Sequence, residues 1–123
     1  MYDKPIVIGT LQSIFSAAER IMDKMRAISS HISFTDSEEK RDSFDIICMQ
    51  LAAIGEGLKK IDKLTDCRLL SNYSNVDWKG LKGIRDVIAH QYFEISYEAV
   101  FDASRDDRPV LIKTIKQIIE DIS

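Results

Sequence analysis

Apolar residues recur at three- and four-residue spacing through nearly the whole chain, and this periodicity constrains the fold more than any other feature. Leu11, Ile14, Phe15, Ala18, Ile21, Met22, Met25 and Ile28 form one stripe, with Gln12, Glu19, Arg20, Asp23, Lys24 and Arg26 on the opposite face. The pattern predicts an amphipathic helix from about Ile8 to Ser29 with a single buried side. Phe44, Ile47, Cys48, Leu51, Ile54, Leu58 and Ile61 form a second stripe. It predicts a helix entered through a capping box at Thr35-Asp36-Ser37-Glu38, after a connection over Ser30 to Phe34, and running to about Lys63. Gly55 and Gly57 sit inside it. Each weakens a helix by roughly 1 kcal/mol relative to alanine, so close approach of a neighbouring helix is the expected compensation.

A loop of about a dozen residues is expected from Leu64 to Val76, carrying Arg68, Asn72, Tyr73 and Asn75. Asp77 reads as an N-cap and opens a third helix from Trp78 to about His90. A short fourth helix is expected over Tyr97 to Ala103 behind Ser96. The last starts near Arg108-Pro109 with Asp107 as cap, because proline in the first turn lacks only an N–H the helix does not use. Leu111, Ile112, Ile115, Ile118, Ile119 and Ile122 are its stripe. No segment sustains a two-residue alternation, so no sheet is expected. The fold class is all-α, an antiparallel bundle of about five helices.

At 123 residues the chain is long enough for one domain, expected to span 1–123, and not for a second. Hydrophobic residues are 45% and charged residues 30%, the make-up of a globular protein rather than a disordered one. A net charge of −3 supplies no general attraction for nucleic acid, so any RNA contact requires a local basic patch. No stretch approaches the ~20 apolar residues of a membrane span, and the start lacks the apolar core of a signal peptide. A cytoplasmic location without membrane association is the expectation. Cys48 and Cys67 have no metal-ligand spacing, and Cys48 sits among apolar neighbours as a buried, reduced thiol would. His31 and His90 cannot supply a zinc set alone, and no metal or cofactor is expected; His31 is given no role. A glycine-rich phosphate loop and a Gly-x-Ser-x-Gly elbow are both missing from the sequence.

What remains for chemistry is the segment Arg85-Asp86-Val87-Ile88-Ala89-His90-Gln91-Tyr92. Arginine offers a permanently charged fork for phosphate oxygens, and histidine moves a proton near neutral pH. Together they could help a ribose 2′-hydroxyl attack its own phosphate without a metal. On a helical wheel Gly80, Leu81, Ile84, Val87 and Ile88 cover the buried arc, with Arg85 and Tyr92 at one border of it. His90 falls about 140° from Arg85 on a straight helix. The two converge only if the helix breaks before His90, or if a symmetric dimer pairs motif helices around one cleft. The same residues have plainer readings. A histidine near a helix C-terminus is favoured by the dipole, Asp86 can pair with Lys82 or Lys79, and Tyr92 and Phe93 can be core aromatics.

At Arg85, His90 and Tyr92 the sequence resembles the HEPN superfamily, specifically HepT-like proteins, whose signature is Arg-x4-His-x-Tyr. The resemblance extends to the opening Met1-Tyr2-Asp3, the run from Ile46 to Glu56, the run from Val76 to Asp86, and Pro109 at the start of the last helix. It implies a homodimer with the motif at the dimer cleft, and a metal-independent endoribonuclease acting as the toxin of a type II toxin–antitoxin system. It implies as partner a small nucleotidyltransferase antitoxin of the MNT type that adenylylates the motif tyrosine, here Tyr92. Carried over by position, Arg85 would stabilise the scissile phosphate, His90 would be the general acid or base, and Asp86 would orient its neighbours. The alternative is a helical binding partner of the nucleotidyltransferase with no turnover of its own, presenting Tyr92 as substrate.

For RNA contact the candidates are Lys79 and Lys82 beside Arg85, and the loop holding Arg68 and Tyr73. Lys59, Lys60 and Lys63 would extend a basic rim or form an ordinary solvated face. Tyr73 or Trp78 could stack a base, although Trp78 fits a packing role better.

Overall fold

The computed structural model describes residues 2–123; Met1, counted in the opening motif, lies outside the described residues. The helices are α1 (Lys4–Met25), α2 (Glu38–Thr65), α3 (Trp78–His90), α4 (Tyr97–Asp102) and α5 (Arg108–Ile122), and no strand occurs among the described residues. The all-α expectation is met. α2 is the central element, packing on both α1 and α3, while α5 packs on α1.

Most of the periodic stripes become the core, but Met22, assigned to the stripe of α1, is exposed. All seven apolar residues assigned to the inner face of α2 are buried, as are Leu11, Ile14, Ala18, Ile21 and Ile28 on the α1 side and Leu111, Ile115 and Ile118 on α5. At about 25 cal/mol per Å² of apolar surface, these positions outweigh any single surface contact discussed below. The loop after α2 contributes too, with Leu69, Val76 and the first residue of the short 3-10 turn Leu70–Asn72 all buried. Cys48 is buried and Cys67 exposed, both as free thiols.

Helix ends differ from expectation where several capping residues compete. α1 begins at Lys4 rather than Ile8, because Asp3 accepts from the Ile6 N–H at 3.3 Å and Pro5 falls in the tolerant first turn. It ends at Met25, not Ser29. The Thr35 capping box does not form. Thr35 closes the 3-10 turn His31–Thr35 by donating to the Ile32 carbonyl, and Ser37 takes the cap of α2, accepting from the Lys40 N–H at 3.1 Å. α2 continues to Thr65, two residues past Lys63, and stops where Asp66 and Cys67 turn left-handed, with φ of 55° and 58°.

The expected cap at Asp107 is also corrected. Asp107 is itself helical and makes no capping bond, and the chain runs from α4 into α5 through a wide π-turn, Ala103–Asp107. Proline in helical conformation crowds the carbonyl four residues before it, and a turn widened by one residue ahead of Pro109 relieves that clash without ending the helix.

Candidate active site

α3 is set by its cap and by one glycine of α2, Gly55. Asp77 accepts from the Gly80 N–H at 2.9 Å, as expected. Leu81 and Ile88 are the buried anchors of α3; Ile84 is half-buried, and Val87, placed on the buried arc by the wheel, is 40% exposed. A Cβ on Gly55 would stand 2.9 Å from Arg85 Cγ and 3.1 Å from the Leu81 carbonyl, and one on Gly57 would meet Ile14 of α1 at 2.9 Å. The two glycines thus let α2 approach α3 on one side and α1 on the other.

The motif is fastened to α2 along a polar seam. The Arg85 guanidinium pairs with Glu56 of α2 and, at 3.2 Å, with Asp86 beside it. Asp86 also takes the Lys59 ammonium, rather than that of Lys82 or Lys79. Lys82 pairs with Asp62 at 2.5 Å. At the other end the Tyr92 hydroxyl donates to Asp45. Asp45, Glu56 and Lys59 lie within about 60° of one another on the α2 wheel, so one face of α2 holds Arg85, Asp86 and Tyr92. The hydrogen bond that Arg85 donates to Asp86 and the charge of Glu56 raise the Arg85 pKa, and Lys59 first and Arg85 second hold the Asp86 carboxyl below its ordinary value. Burial, and then the bond to Asp45, push the Tyr92 phenol well above its usual range, so it stays a protonated donor.

α3 does not break before His90. It stays helical through His90, which is exposed, and ends at Gln91, whose N–H donates to the Val87 carbonyl at 2.8 Å. Arg85 and His90 of one chain therefore remain about 140° apart around the helix. The break after His90 starts a short 3-10 turn, Tyr92–Glu94, that swings Tyr92 onto α2. Tyr92 and Phe93 are exposed, not core.

The other candidate RNA contacts sit elsewhere. Lys79 is exposed in the first turn of α3, roughly 17 Å along the axis from His90. Arg68 is exposed in the loop beside Asp66 at 3.8 Å. Tyr73 gives its hydroxyl to Asp121 at 2.6 Å, and burial and that bond push its pKa up to about 12. Trp78 packs, donating its indole N–H to the Tyr73 carbonyl at 2.8 Å. Among the described residues no three His, Cys, Asp or Glu side chains group in a way that could hold a metal ion, and no helix is long and apolar enough to cross a membrane.

Sequence reasoning missed Asp45 and Glu56 as α2 partners of the motif, and it named Lys59 only for a basic rim or a solvated face, not as the partner of Asp86. Their only signal was a shared helical face, which a solvated surface produces equally well.

A helical bundle carrying Arg-x4-His-x-Tyr across the end of one helix defines a HEPN-type protein. The family model described as "Ribonuclease HepT-like" matches residues 18–118, and the chain belongs to that family. Among curated proteins it is 30% identical to "Putative RNase MJ0127" of Methanocaldococcus jannaschii, over 83% of this chain and 84% of that protein. It is 26% identical to "Putative RNase TTE0752" of Caldanaerobacter subterraneus, over 89% and 91%, and 39% identical to "Putative RNase MJ1216" of M. jannaschii over 58% and 56%. No solved structure matches the chain significantly.

Proposed function

We propose that the protein is the toxin of a type II toxin–antitoxin pair: a cytoplasmic, homodimeric endoribonuclease that cleaves RNA without a metal and is silenced by an MNT-type nucleotidyltransferase acting on Tyr92. The observation that carries this reading is the complete Arg85, His90, Tyr92 motif in a chain of the ribonuclease HepT-like family.

The chemistry follows from the side chains. His90 takes the proton of a ribose 2′-hydroxyl, the 2′-oxygen attacks the adjacent phosphorus, and the 5′-oxygen leaves with a proton returned by an acid. A cyclic phosphate and a 5′-hydroxyl end result. Arg85 balances the charge that grows on the phosphoryl oxygens, exchanging Glu56 for the phosphate. Asp86, held by Lys59, orients the guanidinium. Because Arg85 and His90 diverge on an unbroken helix, the working site combines the Arg85 of one protomer with the histidine of a second copy. Met49, at 68% exposure, is an apolar side chain on the face of α2 that carries Asp45 and Glu56, and it supports a dimer face there. A nucleotidyl group on Tyr92 would add bulk and negative charge beside the motif and end its bond to Asp45.

The test is growth on expression: Arg85→Ala and His90→Ala each relieve the arrest that the wild type causes. Equal toxicity of both variants and wild type rejects the assignment.

One observation favours a second reading, a non-catalytic partner of the nucleotidyltransferase. Arg85 is already satisfied by Glu56 and Asp86 in the single chain. That reading predicts Tyr92 adenylylation and no RNA cleavage at any ionic strength.

A further inference from the structure

Beside the motif, between the N-terminal part of α2 and the segment after α3, lies a hollow of about 240 Å³ lined by Arg41, Phe44, Asp45, Tyr92, Phe93, Ile95 and Tyr97. Its chemistry is mixed in a specific way. Tyr92, Phe93 and Tyr97 are all exposed aromatics, Phe93 completely so. Three exposed rings at one spot are not explained by the core, although Tyr97 touches it edge-on through Phe44 at 4.5 Å. Arg41 stands one helical turn before Asp45, yet makes no ion pair among the described residues. Asp45 spends Oδ1 on the Tyr92 hydroxyl, and its Oδ2 accepts no hydrogen bond among the described residues.

We propose that this hollow is a subsite for one nucleotide: the base stacks on the exposed rings, Asp45 accepts an N–H from the base edge, and Arg41 binds the phosphate. Ring faces hold bases in single strands, and every base carries an N–H that a carboxylate can accept. An unpaired guanidinium a helical turn away suits the phosphate attached to that base. The hollow lies just below the ~300–1,000 Å³ of drug-sized pockets, a size for one nucleotide rather than a larger ligand. The nucleotide can be a residue of the RNA strand next to the cleaved bond, or the nucleotidyl group carried on Tyr92. The second source rests on the adenylylation reading above; the first rests on the ribonuclease reading.

The experiment is an NMR titration of the full-length protein with AMP, ribose 5-phosphate and inorganic phosphate. A parallel titration uses a 2′-O-methyl oligoribonucleotide, which cannot be cleaved through its 2′-oxygen. Phe93→Ala alters a fully exposed side chain, so loss of fold does not confuse its result; Arg41→Ala and Asp45→Asn complete the set. The proposal expects AMP to shift amides at Arg41, Asp45 and 92–97, to bind more tightly than ribose 5-phosphate, and to weaken about tenfold in Arg41→Ala and Phe93→Ala. The same losses with the oligonucleotide assign the subsite to the RNA strand; losses with AMP alone assign it to the transferred nucleotide. No AMP shifts at these amides, or unchanged affinity in all three variants, overturns it. Loss of cleavage in His90→Ala tests the ribonuclease reading separately, since His90 does not line the hollow.

Discussion

A Cβ on Gly55 would stand 2.9 Å from Cγ of Arg85, so the missing carbon is what lets the motif arginine lie against α2 and reach Glu56. Gly55→Ala must push α3 outward or twist the arginine off its rotamer, at about 1–3 kcal/mol. Gly83, also within a helix, has nothing within 4 Å of an added Cβ. Gly83→Ala is therefore expected to gain about 0.5–1 kcal/mol from helix propensity. Urea unfolding of the two variants checks both signs. Equal shifts in one direction would refute the close approach.

Cys67 is a second backbone test. Its φ of 58° and that of Asp66 are left-handed, and only the aspartate belongs to a residue type that visits this region readily. Cys67→Gly is expected to raise stability by about 1 kcal/mol in urea unfolding, while Cys67→Ala, exposed and equally strained, stays close to wild type. A glycine variant no more stable than the alanine variant would contradict the turn geometry.

Two phenols differ from an ordinary tyrosine. Tyr73 is raised to about 12, and Tyr92 is raised further, each by burial and by a carboxylate that accepts its proton's hydrogen bond. A group raised above its unfolded value holds its proton more tightly when folded. Its contribution to stability is therefore present below the unfolded value of about 10 and is lost as pH rises through the folded one. An absorbance titration of the phenolates should show two late steps. Asp45→Asn should move the Tyr92 step down and leave the Tyr73 step in place. Two late steps unchanged in Asp45→Asn would mean that Asp45 does not hold Tyr92.

The sequence made the bundle legible because burial writes itself as periodicity: every inner-face residue assigned to α2 is buried. Ends were harder, since Asp3, Thr35, Ser37 and Asp107 are all residues that can cap, and only tertiary packing decides which one does. Arg85, His90 and Tyr92 were legible as a local motif. Their holders were not, because Asp45, Glu56 and Lys59 are distant in sequence and resemble any charged helix face. The helix wheel correctly separated Arg85 from His90, but it placed Tyr92 at the border beside Arg85. The break at Gln91 carries Tyr92 onto Asp45 instead.

The central claim is that Arg85 and His90 form a metal-independent ribonuclease site. Purified wild type and His90→Ala, incubated with total RNA in EDTA, test it most directly through the RNA ends produced. The account predicts cleavage by wild type alone, leaving cyclic phosphate and 5′-hydroxyl ends. No cleavage, or equal cleavage by both proteins, would contradict it and leave Tyr92 as a modification site on a non-catalytic partner.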